Sequence, residues 1–137
     1  MTQPMLNPYL NFNGNTKEAM EFYHQVLGGE LTLQKFSEAP GMPVPAGYED
    51  KIIHARLDSD AIVIMGSEGQ PGTNVGFGDN VHLSISGSDE PKLTRWFKGL
   101  SDGGNVTMPL AKQFWGDTYG QLTDRFGVHW MVNITKE

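Results

Sequence analysis

Three of the four histidines, His54, His82 and His129, fall in runs where polar and apolar residues alternate. Imidazole is the side chain best suited to acid–base work or to holding a divalent metal near neutral pH. Three imidazoles meeting in one place could hold zinc with an open coordination position. No pair of them has a helical or hairpin spacing that requires convergence, so they read first as hydrogen-bonded or ligand-contacting wall residues. Tyr9 and Tyr119 extend the acid–base repertoire, and Arg56 could hold an anion. Carboxylates are scarce beside these positions. Asp58, Asp60 and Asp124 stand in turn-like sequence, where a short acidic side chain bonds to nearby backbone. The chain has no paired acids, nucleophile elbow or phosphate-binding glycine loop, so without a metal a demanding reaction would lack its main electrostatic stabiliser.

The aromatic residues divide by spacing. Phe22, Tyr23, Trp96 and Phe97 recur at helical core intervals. Trp115, between Phe114 and Gly116, lies in an expected loop from Lys112 to Gly120 with Tyr119, where an aromatic ring could close a pocket over a flat or apolar ligand. Met42, Met65, Met108 and Met131 could supply adaptable pocket walls or fill core gaps. His24 falls on the outer face of an expected helix.

These side chains must be positioned by a chain of 137 residues, the size of one ordinary domain. The absence of cysteine excludes disulfides, thiolate metal sites and a cysteine nucleophile. Ten basic residues against sixteen acidic ones give a net charge of −6, and the basic residues are scattered, which argues against nucleic acid. No stretch approaches the roughly 18 apolar residues of a membrane span, and the start lacks the features of a signal peptide. A cytoplasmic protein with no membrane partner is expected. The triplets at Asn105 and Asn133 then carry no glycosylation meaning.

Tyr9 to Asn13 alternates in period two and reads as a strand. A helix follows, opened by Asn15 and Glu18 in capping-box spacing, with the stripe Ala19, Met20, Phe22, Tyr23, Val26 and Leu27 and an end at Gly28-Gly29. Glu30–Phe36, Ile52–Leu57 and Ala61–Met65 read as further strands, with a proline- and glycine-rich loop over 37–51. The order then repeats. A strand over 81–86 precedes a helix opened by Ser88-Asp89-Glu90-Pro91, with the stripe Leu93, Trp96, Phe97 and Leu100 and an end at Gly103-Gly104. Asn105–Met108 reads as a short strand, 109–117 as a loop, and Thr118–Thr123 with Val128–Ile134 as a hairpin. One module thus spans 5–66, a glycine-rich linker 67–80 and a second module 81–135.

The two copies can be registered against each other. The segments Tyr9 to Gly14 and His82 to Gly87 share a polar–apolar pattern ending in glycine, which pairs Tyr9 with His82 and Asn11 with Ser84 at an offset of 82 − 9 = 73. In the hairpins His54 pairs with Tyr119, Leu57 with Leu122 and, past a longer turn, Met65 with Met131. Leu10, Phe12, Leu83 and Ile85 then point at the helices, and their polar neighbours face the opposite side as an expected cavity wall where the copies meet.

Strand, helix and three strands, written twice, resembles the vicinal oxygen chelate superfamily of lactoylglutathione lyases, extradiol dioxygenases and fosfomycin- and bleomycin-resistance proteins. The resemblance is narrower still in Pro8 to Gly14, Glu18-Ala19, Phe22-Tyr23, Asp50 to Ala55, Phe114 to Asp117, Tyr119-Gly120, Asp124 to Gly127 and Trp130, which look like the PhnB-type branch. It implies an α+β fold of two βαβββ modules, forming a curved, cupped mixed sheet with helices outside. The branch often carries a 3-demethylubiquinone-9 3-methyltransferase label, yet the chain lacks a glycine-rich strand-to-helix turn suited to a methyl-donor nucleotide.

In metal-dependent members, four side chains from the first and last strands of each module hold a divalent ion. The resemblance puts Tyr9, Met65, His82 and Met131 at these positions, with Pro8 the neighbouring choice. Only His82 is an ordinary ligand for zinc, nickel, manganese or iron, so no metal cofactor is expected; a divalent ion, if bound, would use His82 with His54 or His129. The leading expectation is a small-molecule-binding protein, in a sequestering or accessory role, with Tyr9, Asn11, His54, Arg56, Met65, His82, Ser84, Trp115, Tyr119, His129 and Met131 as cavity residues. A metal-dependent lyase, isomerase or dioxygenase with a nonstandard histidine site is the alternative. Open sheet edges, and the module pairing that the resemblance implies, point to a homodimer.

Overall fold

A parallel pairing between the first and last strand closes the sheet of each half of the chain. The computed structural model describes residues 4–39, 41, 43–60, 62–69 and 74–136. It divides into two compact units, Met1–Gly76 and Phe77–Glu137. The first contains β1 (Tyr9–Phe12), α1 (Thr16–Leu27), β2 (Glu30–Lys35), a single 3-10 turn (Phe36–Glu38), β3 (Ile52–Asp58) and β4 (Val63–Glu68). Its sheet runs β1-β4-β3-β2, with β1 parallel to β4 and the other pairs antiparallel. The second contains β5 (Leu83–Gly87), α2 (Glu90–Ser101), β6 (Asn105–Lys112), β7 (Thr118–Thr123) and β8 (His129–Ile134), with the equivalent order β5-β8-β7-β6. This is the expected α+β arrangement of two mixed sheets, each with its helix.

Each core lies between a helix and one sheet face. Ala19, Met20, Phe22, Tyr23 and Leu27 of α1 are buried, as are Phe12, Ala55, Leu57 and Ile64 of the strands. In the second unit Leu93, Trp96, Phe97 and Leu100 of α2 are buried with Ile85, Leu122, Trp130, Val132 and Ile134. Both helical stripes fall where the 3.6-residue period places them.

The register between the copies differs from the sequence expectation by two residues. Tyr9 lies beside Met65, and Ser84 beside Met131, so the counterpart of Tyr9 is Ser84 rather than His82, at an offset of 84 − 9 = 75. The backbone bonds agree: the Gly69 N–H donates to the Phe12 carbonyl, and the Thr135 N–H to the Gly87 carbonyl. The two motif glycines do different jobs. Gly14 lies beyond the end of β1 with φ +91°, a turn conformation that glycine adopts without strain. Gly87 is still inside β5, where an added Cβ would lie 3.4 Å from Leu93 Cδ1. Because side chains alternate with period two, the slip moves residues along the strand and leaves each on its expected face.

Several boundaries also shift. β4 runs through Gly66 to Glu68, into the expected linker, because Gly66 serves close packing against the Leu10 carbonyl (3.1 Å from a notional Cβ) and Met20 Sδ (3.3 Å) rather than a chain break. β5 begins at Leu83, so His82 stands just before the strand. β6 continues through Pro109 to Lys112, reducing the expected loop to 113–117. Pro109 is tolerated because β6 is an outer strand with two register irregularities around it.

The helix starts are built differently. Asn15 makes no side-chain capping bond, contrary to the capping-box expectation. Glu68 replaces it from β4: one oxygen accepts from the Gly14 N–H (2.9 Å) and the Thr16 hydroxyl (2.7 Å), the other from the Ile52 N–H (3.3 Å). At α2, Asp89 caps directly, accepting from the Lys92 N–H, and Pro91 occupies the first turn as expected. Removing Glu68 leaves three donors to be resolvated or stranded, whereas Asn15 removes none. Glu68→Ala is therefore expected to lower unfolding free energy by about 2–4 kcal/mol, Asp89→Ala by about 1 kcal/mol and Asn15→Ala by less than about 0.5 kcal/mol. Urea titration by circular dichroism checks the order; equal losses for Glu68→Ala and Asn15→Ala would refute this account of the α1 start.

Candidate functional site

In the first unit, the sheet face turned away from α1 gathers Tyr9 and Asn11 from β1, His54 and Arg56 from β3, and Met65 and Ser67 from β4. Tyr9, Met65 and Arg56 stand in one row across three strands. The Tyr9 and His54 rings lie 6.0 Å apart, tilted by 36°. The one hydrogen of the Ser67 hydroxyl lies within reach of two acceptors, the Glu68 carbonyl at 3.0 Å and the Asn11 side-chain carbonyl at 3.3 Å. Arg56 pairs with Asp58 at 3.5 Å, so part of its charge is already answered on the protein. Asn13 grips the backbone of Val75 with both amide atoms, accepting at 2.6 Å and donating at 3.0 Å.

In the second unit the corresponding face carries Ser84, Met131 and Gln121 in one row, and His129 and Thr123 in the next. His82 precedes β5, and its ring centroid lies 5.2 Å from that of His129. His129 has both nitrogens engaged: Nε2 faces the Gly78 carbonyl at 2.9 Å and Nδ1 faces the Thr123 hydroxyl at 2.8 Å. A carbonyl can only accept, so Nε2 carries a hydrogen, and in the Nε2–H tautomer Nδ1 accepts from the Thr123 hydroxyl. Gln121 donates to the Tyr119 oxygen at 2.8 Å, and the Tyr119 hydroxyl faces Met131 Sδ at 3.4 Å.

Trp115 sits at the tip of a tight hairpin rather than in a long loop. The Gln113 N–H donates to the Asp117 carbonyl (2.8 Å) and the Gly116 N–H to the Gln113 carbonyl (3.0 Å), with Gly116 at φ +100°. Trp115 is 49% exposed and Phe114 98% exposed. Trp115 meets Phe114 at 4.9 Å and Tyr119 at 6.1 Å, both edge to face.

The expected site residues therefore assemble as two sets. Tyr9, Asn11, His54, Arg56 and Met65 share the first unit's face; His82, Ser84, Trp115, Tyr119, His129 and Met131 belong to the second unit. Met42 lies outside the described residues. Gln121, Thr123 and Ser67 had no place in the sequence expectation, although the alternation that selected Tyr119 and Met65 also selects them. Glu68 was hidden by the surrounding glycines. It lines a polar crevice of about 200 Å³ with Asn13, Tyr48, Lys51 and Asn74, where Lys51 donates to the Gly14 carbonyl at 2.9 Å.

The residues at the superfamily's metal positions do not suit a hard or borderline dication. In the observed register they are a phenol, two thioethers and the Ser84 hydroxyl, with His82 displaced along the chain toward His129. Thioethers are soft, uncharged donors and cannot replace carboxylates or imidazoles. Among the described residues, no group of three His, Asp or Glu side chains is arranged to hold a metal ion. Among the same residues, no helix is long and apolar enough to cross a membrane.

Two βαβββ units with polar, aromatic-lined sheet faces define the class. The chain belongs to the Glyoxalase/Bleomycin resistance protein/Dioxygenase superfamily, whose family model matches residues 6–132. The Escherichia coli K12 protein YjdN is 33% identical to it, over 96% of each chain. The crystal structure of protein PA1353 from Pseudomonas aeruginosa matches with a TM-score of 0.87 and 39% identity, covering 98% of this chain and 100% of that one. A PhnB protein from Bacillus cereus matches with a TM-score of 0.76 at 22% identity, covering 96% of this chain and 100% of that one, a likeness of fold.

The His129 assignment has a direct check. Long-range 1H–15N correlation on the neutral ring should find His129 predominantly as the Nε2–H tautomer. A dominant Nδ1–H form would contradict the hydrogen-bond reading.

Proposed function

We propose that this chain is a small-molecule-binding member of its superfamily that recognises an organic ligand on its polar, aromatic-lined sheet faces and works without the four-ligand metal centre. The observation that carries the proposal is the donor set. Tyr9, Met65, Ser84 and Met131 stand where charged or imidazole ligands would be needed, and they are groups that contact organic molecules well. On the first unit's face the half-exposed Tyr9 ring supplies apolar contact area and Asn11 a hydrogen bond for orientation; on the second unit's face the half-exposed Trp115 ring and the Ser84 and Gln121 side chains supply the same pair of contacts. A sequestering or accessory role needs no more than this.

The second reading is a metal-dependent lyase, isomerase or dioxygenase, favoured by the closeness of His82 and His129. Against it stands the engagement of both His129 nitrogens, since coordination would have to displace either the Gly78 carbonyl or the Thr123 hydroxyl. Metal analysis separates the two. Protein purified without a histidine tag is expected to hold well under one equivalent of any transition metal, and His82→Ala is expected to leave that content unchanged. One stoichiometric dication, lost in His82→Ala, would replace the first reading by the second. For the ligand, a metabolite panel screened by 1H–15N NMR should contain at least one compound that shifts the Trp115 indole resonance saturably while sparing Trp96 and Trp130. A silent panel would count against small-molecule binding.

A further inference from the structure

The hydrogen-bond chain on the second unit's face gives the ligand a chemical class. Tyr119 has one hydroxyl hydrogen and an oxygen that can accept. Gln121 Nε2 donates to that oxygen at 2.8 Å, so the acceptor side is engaged and the hydrogen must point elsewhere. It faces Met131 Sδ at 3.4 Å, and a thioether is a weak acceptor. An oriented phenolic donor resting on a weak acceptor can be transferred to a ligand oxygen at little cost, because the bond given up is worth less than the bond gained. The donor also stands beside an aromatic surface: the Trp115 ring is 6.1 Å from Tyr119, edge to face, and half exposed.

Charge narrows the class further. The polar side chains placed on this face, Ser84, Ser86, Gln121, Thr123, His129 and Asn133, include no lysine or arginine; Lys112 pairs with Thr118, one residue out of phase with Tyr119, and lines a crevice with Ser88, Glu90, Gly116, Thr118 and Lys136. An anionic acceptor would meet no permanent cation on this face, only the His82 and His129 imidazoles, in a chain whose net charge is −6. A neutral carbonyl oxygen matches the donor without that penalty. We infer that the second unit binds a planar aromatic ketone or related aryl carbonyl compound, with Tyr119 donating to the carbonyl oxygen and Trp115 packing on the ring. This rests on the small-molecule reading above and specifies its ligand.

The test uses two probes of one skeleton, 1-indanone and indane, which differ by the carbonyl. Binding to the full chain is followed by NMR titration of the Trp115 indole and the Gln121 side-chain amide. 1-Indanone is expected to bind about tenfold more tightly than indane, the size of one neutral hydrogen bond. Tyr119→Phe, which keeps the ring, should bring that ratio to about one, and Trp115→Ala should weaken both probes together. Spectra of the unliganded variants establish that they are folded. Equal affinities in the parent protein, a ratio unchanged by Tyr119→Phe, or no saturable response to 1-indanone would each overturn the inference. Small-molecule binding itself falls only if the wider metabolite panel is silent as well, so the two failures are distinguishable.

Discussion

The pairing of first strand with last is the constraint on which the rest of each unit depends. A parallel ladder cannot be closed by a tight turn, so everything between β1 and β4, or between β5 and β8, must be spent on a crossover. Here that crossover is a helix followed by an antiparallel pair, and it leaves one face of each sheet without a helix of its own unit. The same ladder decides which side chains become neighbours across the strands. It sets Tyr9 beside Met65 and Ser84 beside Met131. The character of the candidate site follows from those juxtapositions, since neither pair combines two groups that favour a metal.

Two buried carboxylates show how the units solve the same problem with different residues. Glu68, 6% exposed, links the end of β4 to the start of α1 and to β3. Asp124, 3% exposed, accepts from the Phe126 and Val128 N–H groups and from the Trp130 indole, and so shapes the turn between β7 and β8 around a fully buried tryptophan. In each case a charge is removed from water and met by three donors, which makes the local geometry specific as well as stable. Both carboxylates are thus committed to holding local structure.

Much of this was legible in the residues. Helical stripes and strand alternation are local signals, so both helices, the order of elements and the sheet face of strand residues such as Tyr9, His54, Met65, Tyr119 and Met131 could be read directly. The turn role of Asp124 could be read for the same reason, because the donors to its carboxylate lie within a few residues of it. What escaped was information carried by non-local contacts. The partner of the α1 N-terminus lies 54 residues from Gly14 in sequence, which local capping rules cannot find. Gly66 reads as punctuation and is a packing residue, while Gly14 is a turn glycine and Gly87 lies inside a strand; the two motif glycines are therefore not equivalent, and the register they suggest is off by two. The glycine pairs after the helices were the better ruler. Gly29 and Gly104 are each backed by strand backbone, with a notional Cβ 2.3 Å from the carbonyl oxygens of Asp58 and Thr123, and they lie 75 residues apart, in agreement with the strand register.

β6 has a bearing on how this protein survives its own synthesis. It is an outer strand of eight residues, all but Leu110 exposed, with Val106 and Met108 each 40% exposed. A straight strand of that composition would be a template for misassembly between nascent chains. Pro109 removes one donor and the two register irregularities break the even spacing of the rest, so an incoming strand finds no continuous row of groups to match. The irregularity that hid this strand from a reading of the sequence thus acts as a gatekeeper against aggregation.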